Sequence, residues 1–380
     1  MSEALYRILV VNPGSTSTKV AVFENEKEVF GVSVSHDQET LAQFATITDQ
    51  LGYRKETIDK ALKEGGITRD SIDACVGRCG SVLPIIGGTY KATPMMVAHA
   101  AMPINGVHHP AMLGIQLASL YAKECKCDTY TVNPPEVDEF EDLARVTGLK
   151  EVKRSSHLHA LNLKETAIHH SKLYGKKYEQ SNYVVCHIGG GISISAHKNG
   201  RMIDGNDIVF GLGPIAPTRC GTIPAADIIE LCFSAGAEKE EIRKLCRTEG
   251  GLVSLLGTSD ARQVKSMADE GNYDAKMAWN AMIYQICKNI GSMAAVLKGK
   301  VDGILLSGGL VYNEDLVDGI KKSCSFIADV YAYPGEFEME ALSQGCLRVL
   351  RGEEEPVDYD SQAEEILKRM NQNVEQGQGK

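Results

Sequence analysis

Residues 6–24 read Tyr-Arg-Ile-Leu-Val-Val-Asn-Pro-Gly-Ser-Thr-Ser-Thr-Lys-Val-Ala-Val-Phe-Glu. An apolar run, Ile8 to Val11, drops into a polar turn, Asn12 to Thr18, and returns as a β-branched run, Val20 to Phe23. Short runs rich in Val and Ile around a turn of Asn, Pro, Gly and Ser predict a β-hairpin. The turn holds one glycine, Gly14, four hydroxyl side chains (Ser15, Thr16, Ser17, Thr18) and then Lys19, with no acid among them. Backbone amides at a glycine turn, hydroxyl donors and a nearby cation are what a phosphate needs to bind without competing negative charge. An ordinary hydroxyl-rich hairpin accounts for these residues equally well.

The same layout returns further along the chain. Tyr183 to Ile188 is a strand, Gly189-Gly190-Gly191 a turn and Ile192 to His197 an alternating strand. Asn199-Gly200 is a hairpin turn into Arg201 to Asp204. The letters barely match, so what repeats is the layout. Two such halves, each offering a phosphate-sized loop, would put one nucleotide between them. A third glycine turn, Ser307-Gly308-Gly309, closes the buried strand Val301 to Leu306.

The totals narrow the class. With 380 residues there is room for two domains, and 43% hydrophobic with 24% charged residues is an ordinary globular balance. A net charge of −10 gives no footprint for nucleic acid or an anionic membrane. No apolar stretch reaches the roughly 18 to 20 residues of a membrane span, and none near the start resembles a signal peptide. Eleven cysteines without a Cys-x-x-Cys pair read as reduced, mostly buried thiols in a cytoplasmic protein.

Other residues acquire meaning from their position. Residues 41–64 are helical in composition, 95–101 and 110–123 read as two helices, and a basic helix is expected from Lys153 through Lys172. Arg78 follows a short strand between Gly77 and Gly80, and Arg219 lies in the Gly- and Pro-rich loop 210–224. Each suits an anion, though a surface arginine on a turn explains Arg78 as well. His108 and His109 stand ahead of Pro110. The acids after Asn133-Pro-Pro suit a divalent metal or, better, a solvated helix N-terminus. His157 and His159, two apart, point in different directions on a helix and so make a poor metal pair. Apolar residues from Trp279 to Leu297 fall at helical spacing and belong to a core or an interface. Glu336, Glu338 and Glu340 open a helix, where acids serve as caps.

Three strand-end glycine turns, an αβ layout and two loop arginines point to an ATP-binding phosphotransferase. The P-loop and protein-kinase patterns are both missing. Taken in order, the blocks Asn12-Pro-Gly-Ser-Thr-Ser-Thr-Lys, Gly-Arg78, His108-x-Pro, His159-Ala-Leu-Asn, His187-Ile-Gly-Gly-Gly-Ile-Ser, Arg219-x-Gly-Thr-Ile-Pro, Ser307-Gly-Gly and Tyr-Pro-Gly-Glu-x-Glu338-Met-Glu-Ala-Leu resemble those of the acetate and butyrate kinase family. That family lies in the superfamily of sugar kinases, actin and heat-shock chaperones. The resemblance spans Ile8 to about Arg351 and rests on eight blocks in sequence.

The resemblance implies an α/β fold of two similar ribonuclease H-like (actin-type ATPase) domains around a nucleotide cleft. The domains would be 1–154, joined by a C-terminal helix at about 338–380, and a nucleotide-binding domain, 155–337. It implies a reversible, direct transfer from ATP to a short-chain carboxylate, butyrate foremost, giving the acyl phosphate and ADP with Mg²⁺. Arg78 would hold the carboxylate, Arg219 the carboxylate and the migrating phosphoryl group, and His159 the equatorial oxygens. Asn12, Ser15, Ser17 and Lys19 would line the phosphate path, and His187, Gly189, Gly190 and Gly191 would carry the ATP phosphates. Ser307, Gly308 and Gly309 would form the adenosine-side turn, Glu338 would act on Mg²⁺, and His108 would be an active-site histidine. A cytoplasmic homo-oligomer, a dimer or a multiple of one, is implied as well.

Two positions depart from the family. Asn133 stands where an aspartate that positions Mg²⁺ and arginine is expected, and Cys79 where butyrate kinases usually carry glycine. Gly80 occupies the place of a valine in acetate kinases, which favours an acid longer than acetate. A propionate- or isobutyrate-type kinase is the nearest alternative. A weakly active nucleotide-binding sensor of the same fold is the reading that Asn133 motivates.

Overall fold

A computed structural model of the chain describes residues 4–102, 108–209 and 211–375. Parts of two loops read from sequence, residues 103–107 and Phe210, therefore lie outside the described residues, as does the Gln-Gly end. The chain divides into two compact units, Met1–Val137 with Phe337–Lys380, and Asp138–Glu336.

The first unit is built on strands β1 (Arg7–Pro13), β2 (Ser17–Glu24), β3 (Lys27–Ser35), β4 (Ala74–Gly77), β5 (Thr89–Lys91) and β6 (Asp128–Val132), in the order β3-β2-β1-β4-β6-β5. The opening hairpin pairs antiparallel with Asn12 opposite Lys19. Strands β4 and β6 then add in parallel. Ile8 to Val11 are all buried because both faces of β1 are covered, and a strand covered on both sides reads as a continuous apolar run. Leu9 and Val11 share a core with Leu113, Leu117 and Tyr121 of the helix Met112–Cys125. Ile8 and Val10 alternate to the other face, and the helix Glu338–Leu350 also packs on β1, β4 and β6.

Close approach sets both helices. A Cβ on Gly345 would lie 2.6 Å from Val132 of β6, and one on Gly114 only 2.3 Å from the carbonyl oxygen of Arg78. The backbone after β4 is thus pressed against a helix that has no side chain at the contact.

The second unit repeats the plan. Strands β7 (Asn182–Ile188), β8 (Ile192–Lys198), β9 (Arg201–Gly205), β10 (Gly303–Gly308) and β11 (Val330–Pro334) stand in the order β11-β10-β7-β8-β9. Again an antiparallel trio is extended by two parallel strands, the ribonuclease H-like arrangement that the family resemblance implies. The helix Tyr273–Val296 buries Trp279, Met282, Ile286, Ile290 and Met293 in the same core as Val184, Cys186 and Ile194.

Several element boundaries differ from the sequence expectation for local reasons. Residues 41–64 are helical only over Leu51–Glu64, because the Asp49 carboxylate captures the amide and hydroxyl of Thr46 at 2.8 Å in a competing turn. The basic helix starts at Ala160 rather than near Lys153. Ahead of it, His157 is drawn to Asp207 at 2.8 Å, while Arg154 reaches Asp204 at 3.1 Å and Glu139 pairs with Lys164 at 2.9 Å. Those pairs also place residues 138–154 with the second unit. The C-terminal segment is two helices, Glu338–Leu350 and Tyr359–Glu375, separated at Gly352, whose φ is +71°. Among the described residues no helix is long and apolar enough to cross a membrane.

The Gly114 contact gives a test. Gly114→Ala should cost about 1–3 kcal/mol in urea unfolding, since the added methyl meets backbone that cannot rotate away. Gly52→Ala, where nothing lies within 4 Å, should leave stability equal or raise it. Equal midpoints for Gly114→Ala and the parent would show that the helix is free to shift.

Candidate active site

In the first unit the site begins beneath the Asn12–Lys19 turn. Arg54, in the helix Leu51–Glu64, is fully buried. Its guanidinium donates to the carbonyl oxygens of Gly14 (2.9 Å) and Ser15 (3.3 Å), the hydroxyl of Thr18 (3.0 Å) and the side-chain oxygen of Gln50. All these acceptors are neutral, and among the described residues no carboxylate pairs with Arg54. With the turn's carbonyls gathered inward, an uncompensated positive charge sits directly under it. The charge is felt next door: burial first, then Arg54, holds the His36 imidazole down at about 4, while its Nε2 bonds Thr18 Oγ1 at 2.8 Å. Ser15 and Lys19 are exposed and Ser17 half-buried, while the Gly14 amide closes the turn on the Ser17 carbonyl at 2.7 Å.

Sequence reasoning missed Arg54. The signal was available: Arg54, Ile58 and Leu62 form one stripe at helical spacing, so a cation stands where a core residue is due.

Beside the turn, Glu338 joins three elements. Its carboxylate accepts from Asn12 Nδ2 at the end of β1 (2.7 Å) and from Arg78 Nη1, which follows β4. Burial pushes the Glu338 carboxyl up. The Arg78 charge, the bonds from Arg78 and Asn12, and the more distant Lys19 more than reverse this, leaving it at about 2. Arg78 keeps its own place through its amide, which donates to Val11 at 3.0 Å. Its buried Nε has no hydrogen-bond partner among the described residues, so a donor is left over for an anion.

Asn133 has a clear local job. Its φ is +39°, a backbone that Asn and Asp tolerate, and its Oδ1 accepts from the Gly88 amide at 2.8 Å while its own amide donates back to Gly88 at 3.0 Å. An aspartate oxygen would accept the same bond. His108 and His109 are both exposed at the surface. Desolvation, then the charge of Arg78, lowers the His109 imidazole, and Glu338 opposes them. Cys79 is fully buried among Val82, Leu83, Tyr90 and Tyr359. Gly80 is buried, and a Cβ there would make ordinary contacts with Met112, Ala111 and Glu136 at 3.8–4.0 Å, so a methyl fits but fills the site.

The second unit assembles the remaining residues. His159 caps the helix Ala160–Leu173, and its ring lies 4.3 Å from that of His187 at 40°. Ser193, directly opposite His187 in the β7–β8 pair, contacts His159 twice: its Oγ accepts the backbone amide at 3.2 Å and lies 2.8 Å from Nδ1. In the tautomer in which the Ser193 hydroxyl donates to Nδ1, the ring proton is on Nε2. Ser193 was not singled out from sequence; its place in the alternation of β8 was the available sign.

Gly189, Gly190 and Gly191 form the turn after β7, closed by the Gly189 amide on the Gly191 carbonyl at 3.1 Å. Arg219 lies across it, near enough that a Cβ on Gly191 would fall 2.2 Å from Nη1. Arg219 Nε donates to Ile208 at 2.8 Å, and Thr218 Oγ1 donates to Gly190 at 3.1 Å. Burial, then the charge of Arg247, lowers the pKa of Arg219, yet a guanidinium stays ionised. Ser307 Oγ donates to Cys186 at 3.3 Å. Gly308 has φ +103°, with Ile188 so close that only glycine fits.

Each unit by itself offers donors suited to phosphate: hydroxyls, Lys19 and Arg78 in the first, and the glycine turn with Arg219 in the second. For a hard cation the relevant group is Glu338, ionised at any physiological pH, with lone pairs on both oxygens beyond those taken by Arg78 and Asn12. That donor chemistry fits magnesium, bound directly or through water.

Comparison with known proteins agrees with the geometry. The acetokinase family model matches residues 154–324. Butyrate kinase 2 of Clostridium acetobutylicum is 46% identical over 354 residues, covering 93% of this chain and 99% of that protein. Among solved structures, Porphyromonas gingivalis acetate kinase superposes with a TM-score of 0.73 at 20% identity, over 90% of this chain and 99% of that one. A propionate kinase from Francisella tularensis gives 0.72 at 16%, over 90% and 98%. At such identities these two speak for the fold alone.

Glu338 makes acid stability informative. Its folded pKa lies below its ordinary value of 4.5, so its contribution is fully present above about pH 4.5 and is lost as pH falls toward 2. Urea unfolding from pH 7 to pH 2 should show a loss on the order of 3 kcal/mol in the parent that Glu338→Gln lacks. Superimposable pH profiles would mean that the ion pair contributes nothing.

Proposed function

This chain belongs to the acetokinase family, and we propose that its residues carry out one reaction, transfer of the γ-phosphoryl group of ATP to the carboxylate of butyrate. It is a carboxylate kinase, homologous to butyrate kinase over nearly its whole length. The observation that carries the assignment of roles is Arg78. Its Nη1 is fixed by Glu338 while its buried Nε has no partner among the described residues, the arrangement of an anchored guanidinium with a donor to spare.

In this reading a carboxylate oxygen of butyrate attacks the γ-phosphorus. The new O–P bond forms as the bond to the bridging oxygen breaks, and that electron pair leaves on ADP. No base is required, because a short-chain acid with a pKa of roughly 4 to 5 is already ionised. What remains is positioning and charge stabilisation in a transition state that spreads charge over the equatorial oxygens. Arg78 orients the carboxylate. Arg219 and His159 Nε2–H supply positive charge and a donor to the phosphoryl oxygens. Asn12, Ser15, Ser17 and Lys19 line the phosphate path, with Arg54 reinforcing their field from below. The amides of Gly189 to Gly191 and His187 serve the ATP phosphates, and Ser307 to Gly309 the adenosine side. Magnesium, when bound, would be held by Glu338 and would neutralise phosphate charge. His108 is retained as an active-site histidine, with His109 nearer the site charges.

Gly80 supports a chain longer than acetate, since glycine leaves out the bulk that a valine would add at this buried position. One CH₂ is worth about 1 kcal/mol, so preference among neighbouring acids will be graded. Propionate and isobutyrate are the nearest competitors. Eleven cysteines, none in a disulfide, fit a cytoplasmic enzyme. Exposed apolar residues on the helix Ala225–Phe233, with Ile229 at 54% and Phe233 at 86% exposure, fit a homo-oligomer through the second unit.

The test is to incubate the protein with ATP, Mg²⁺, hydroxylamine and acids from acetate to hexanoate. Acyl hydroxamate should peak at or beside butyrate, and Gly80→Val should shift the preference toward acetate by about tenfold in kcat/KM. No hydroxamate from any acid would end the proposal. Asn133→Asp separates enzyme from sensor. A robust parent rate that does not rise removes the sensor reading, whereas a weak parent rate raised by the aspartate would favour it.

A further inference from the structure

Away from these residues, three thiols converge from separate elements. Cys75 lies in β4, Cys125 ends the helix Met112–Cys125, and Cys127 directly precedes β6. Lys126 between the last two is left-handed, φ +57° and ψ +40°, and this reversal lets the Cys127 amide donate to Ala122 at 3.0 Å. The β4–β6 register, Ala74 opposite Asp128, then sets Cys127 beside Cys75. The three Sγ atoms lie within 4.8 Å of one another, with Cys75 and Cys127 at 3.8 Å, and none is in a disulfide. Among the described residues this is the one group of three or more metal-ligating side chains so arranged.

We propose that Cys75, Cys125 and Cys127 form a zinc(II) site, completed by a water molecule. Tetrahedral zinc with Zn–S bonds of about 2.3 Å has sulfur–sulfur edges of about 3.8 Å, so the thiols need only small adjustments to close on an ion. Three thiolates suit a soft cation, and their arrangement leaves a fourth position. Cys75 is fully buried and the other two half-buried, so sulfur lines the inner side while the open position faces the way in.

Charge favours a divalent ion. Zinc with three thiolates leaves one net negative charge, and the Arg69 guanidinium acts on Cys125. Glu124, Asp128 and Asp73 surround the thiols with negative charge, which penalises the more anionic complex that a monovalent ion would leave. The site also stands at a helix C-terminus, where cations are favoured and bare thiolates are not. On binding, each coordinating thiol releases its proton to solvent and no sulfur is oxidised. The ion would tie the end of that helix to β4 and β6, three residues before Arg78. The competing account is packing, in which three reduced thiols act as small hydrophobes beside Leu9 and Leu113. Packing predicts no metal.

The test uses the full chain, reduced, stripped by chelator and titrated with cobalt(II), then zinc(II). Binding of one cobalt should bring a near-ultraviolet thiolate charge-transfer absorption and visible tetrahedral bands, all displaced by one equivalent of zinc. Zinc should raise the melting temperature. Cys125→Ser/Cys127→Ser, changed only at half-buried positions, should fold, keep its ATP-dependent activity and lose both responses. Cys232→Ser, at an exposed cysteine elsewhere, should keep them. No charge-transfer band in the parent, a band that survives the double substitution, or retention of copper(I) but not zinc would each overturn the assignment.

Discussion

The carboxylate of Glu338 is the constraint on which the first unit's site depends. It ends one bond on Asn12 at the tip of β1 and another on Arg78 at the tip of β4, while its own backbone starts the helix that covers those strands. Removing one partner of such a half-buried pair leaves the other charge stranded, which is worse than never having had the pair. The pair therefore works as a positional lock as well as a source of stability. It holds a guanidinium still while leaving one of its donors unused. Around it stand three cations, Arg54, Lys19 and Arg78, and the most deeply buried of them has only neutral oxygens for company. A region so charged and so rich in donors is prepared for a polyanion.

Much of this was visible in the letters, and the part that was not has physical reasons. The hairpin, the glycine turns and the repeated strand layout are local patterns, dictated by alternation and by the φ values that glycine alone accepts. They carried the ribonuclease H-like sheets. Contacts between distant residues left no such mark. Arg78 and Glu338 are 260 positions apart, and nothing in the acids opening that helix distinguished the one that faces inward from its neighbours. Arg54 was hidden by convention, because a charged residue in a charged helix reads as solvated until its stripe with Ile58 and Leu62 is noticed. The start of the Ala160 helix was obscured because His157 and His159 spend their side chains on distant partners, Asp207 and Ser193. The thiol cluster escaped because its spacing in sequence, one pair two apart and a third fifty residues away, resembles no ligand motif.

The arrangement also suggests why the fold can phosphorylate an acid without a base. A hydroxyl acceptor must lose a proton as it attacks, and a kinase for such a substrate must place a carboxylate to take it. An ionised acid has no proton to lose, so the chemistry reduces to bringing two anions together. In the proposed reaction cations and fixed dipoles would perform that task, and the neutral donors Asn12 and His159 would add direction to it. Ser193, which contacts His159 twice, would belong with the residues that direct rather than react.

The most direct measurement is the stereochemical course at phosphorus. ATP made chiral at the γ-phosphoryl group with oxygen isotopes, and transferred to butyrate, should yield acyl phosphate of inverted configuration, because one in-line displacement joins donor and acceptor. Retention would contradict this. It would mean that the phosphoryl group rests first on the protein, with His159 or His187 as a nucleophile rather than a donor, and that positioning by Arg78 and Glu338 is not the basis of the reaction.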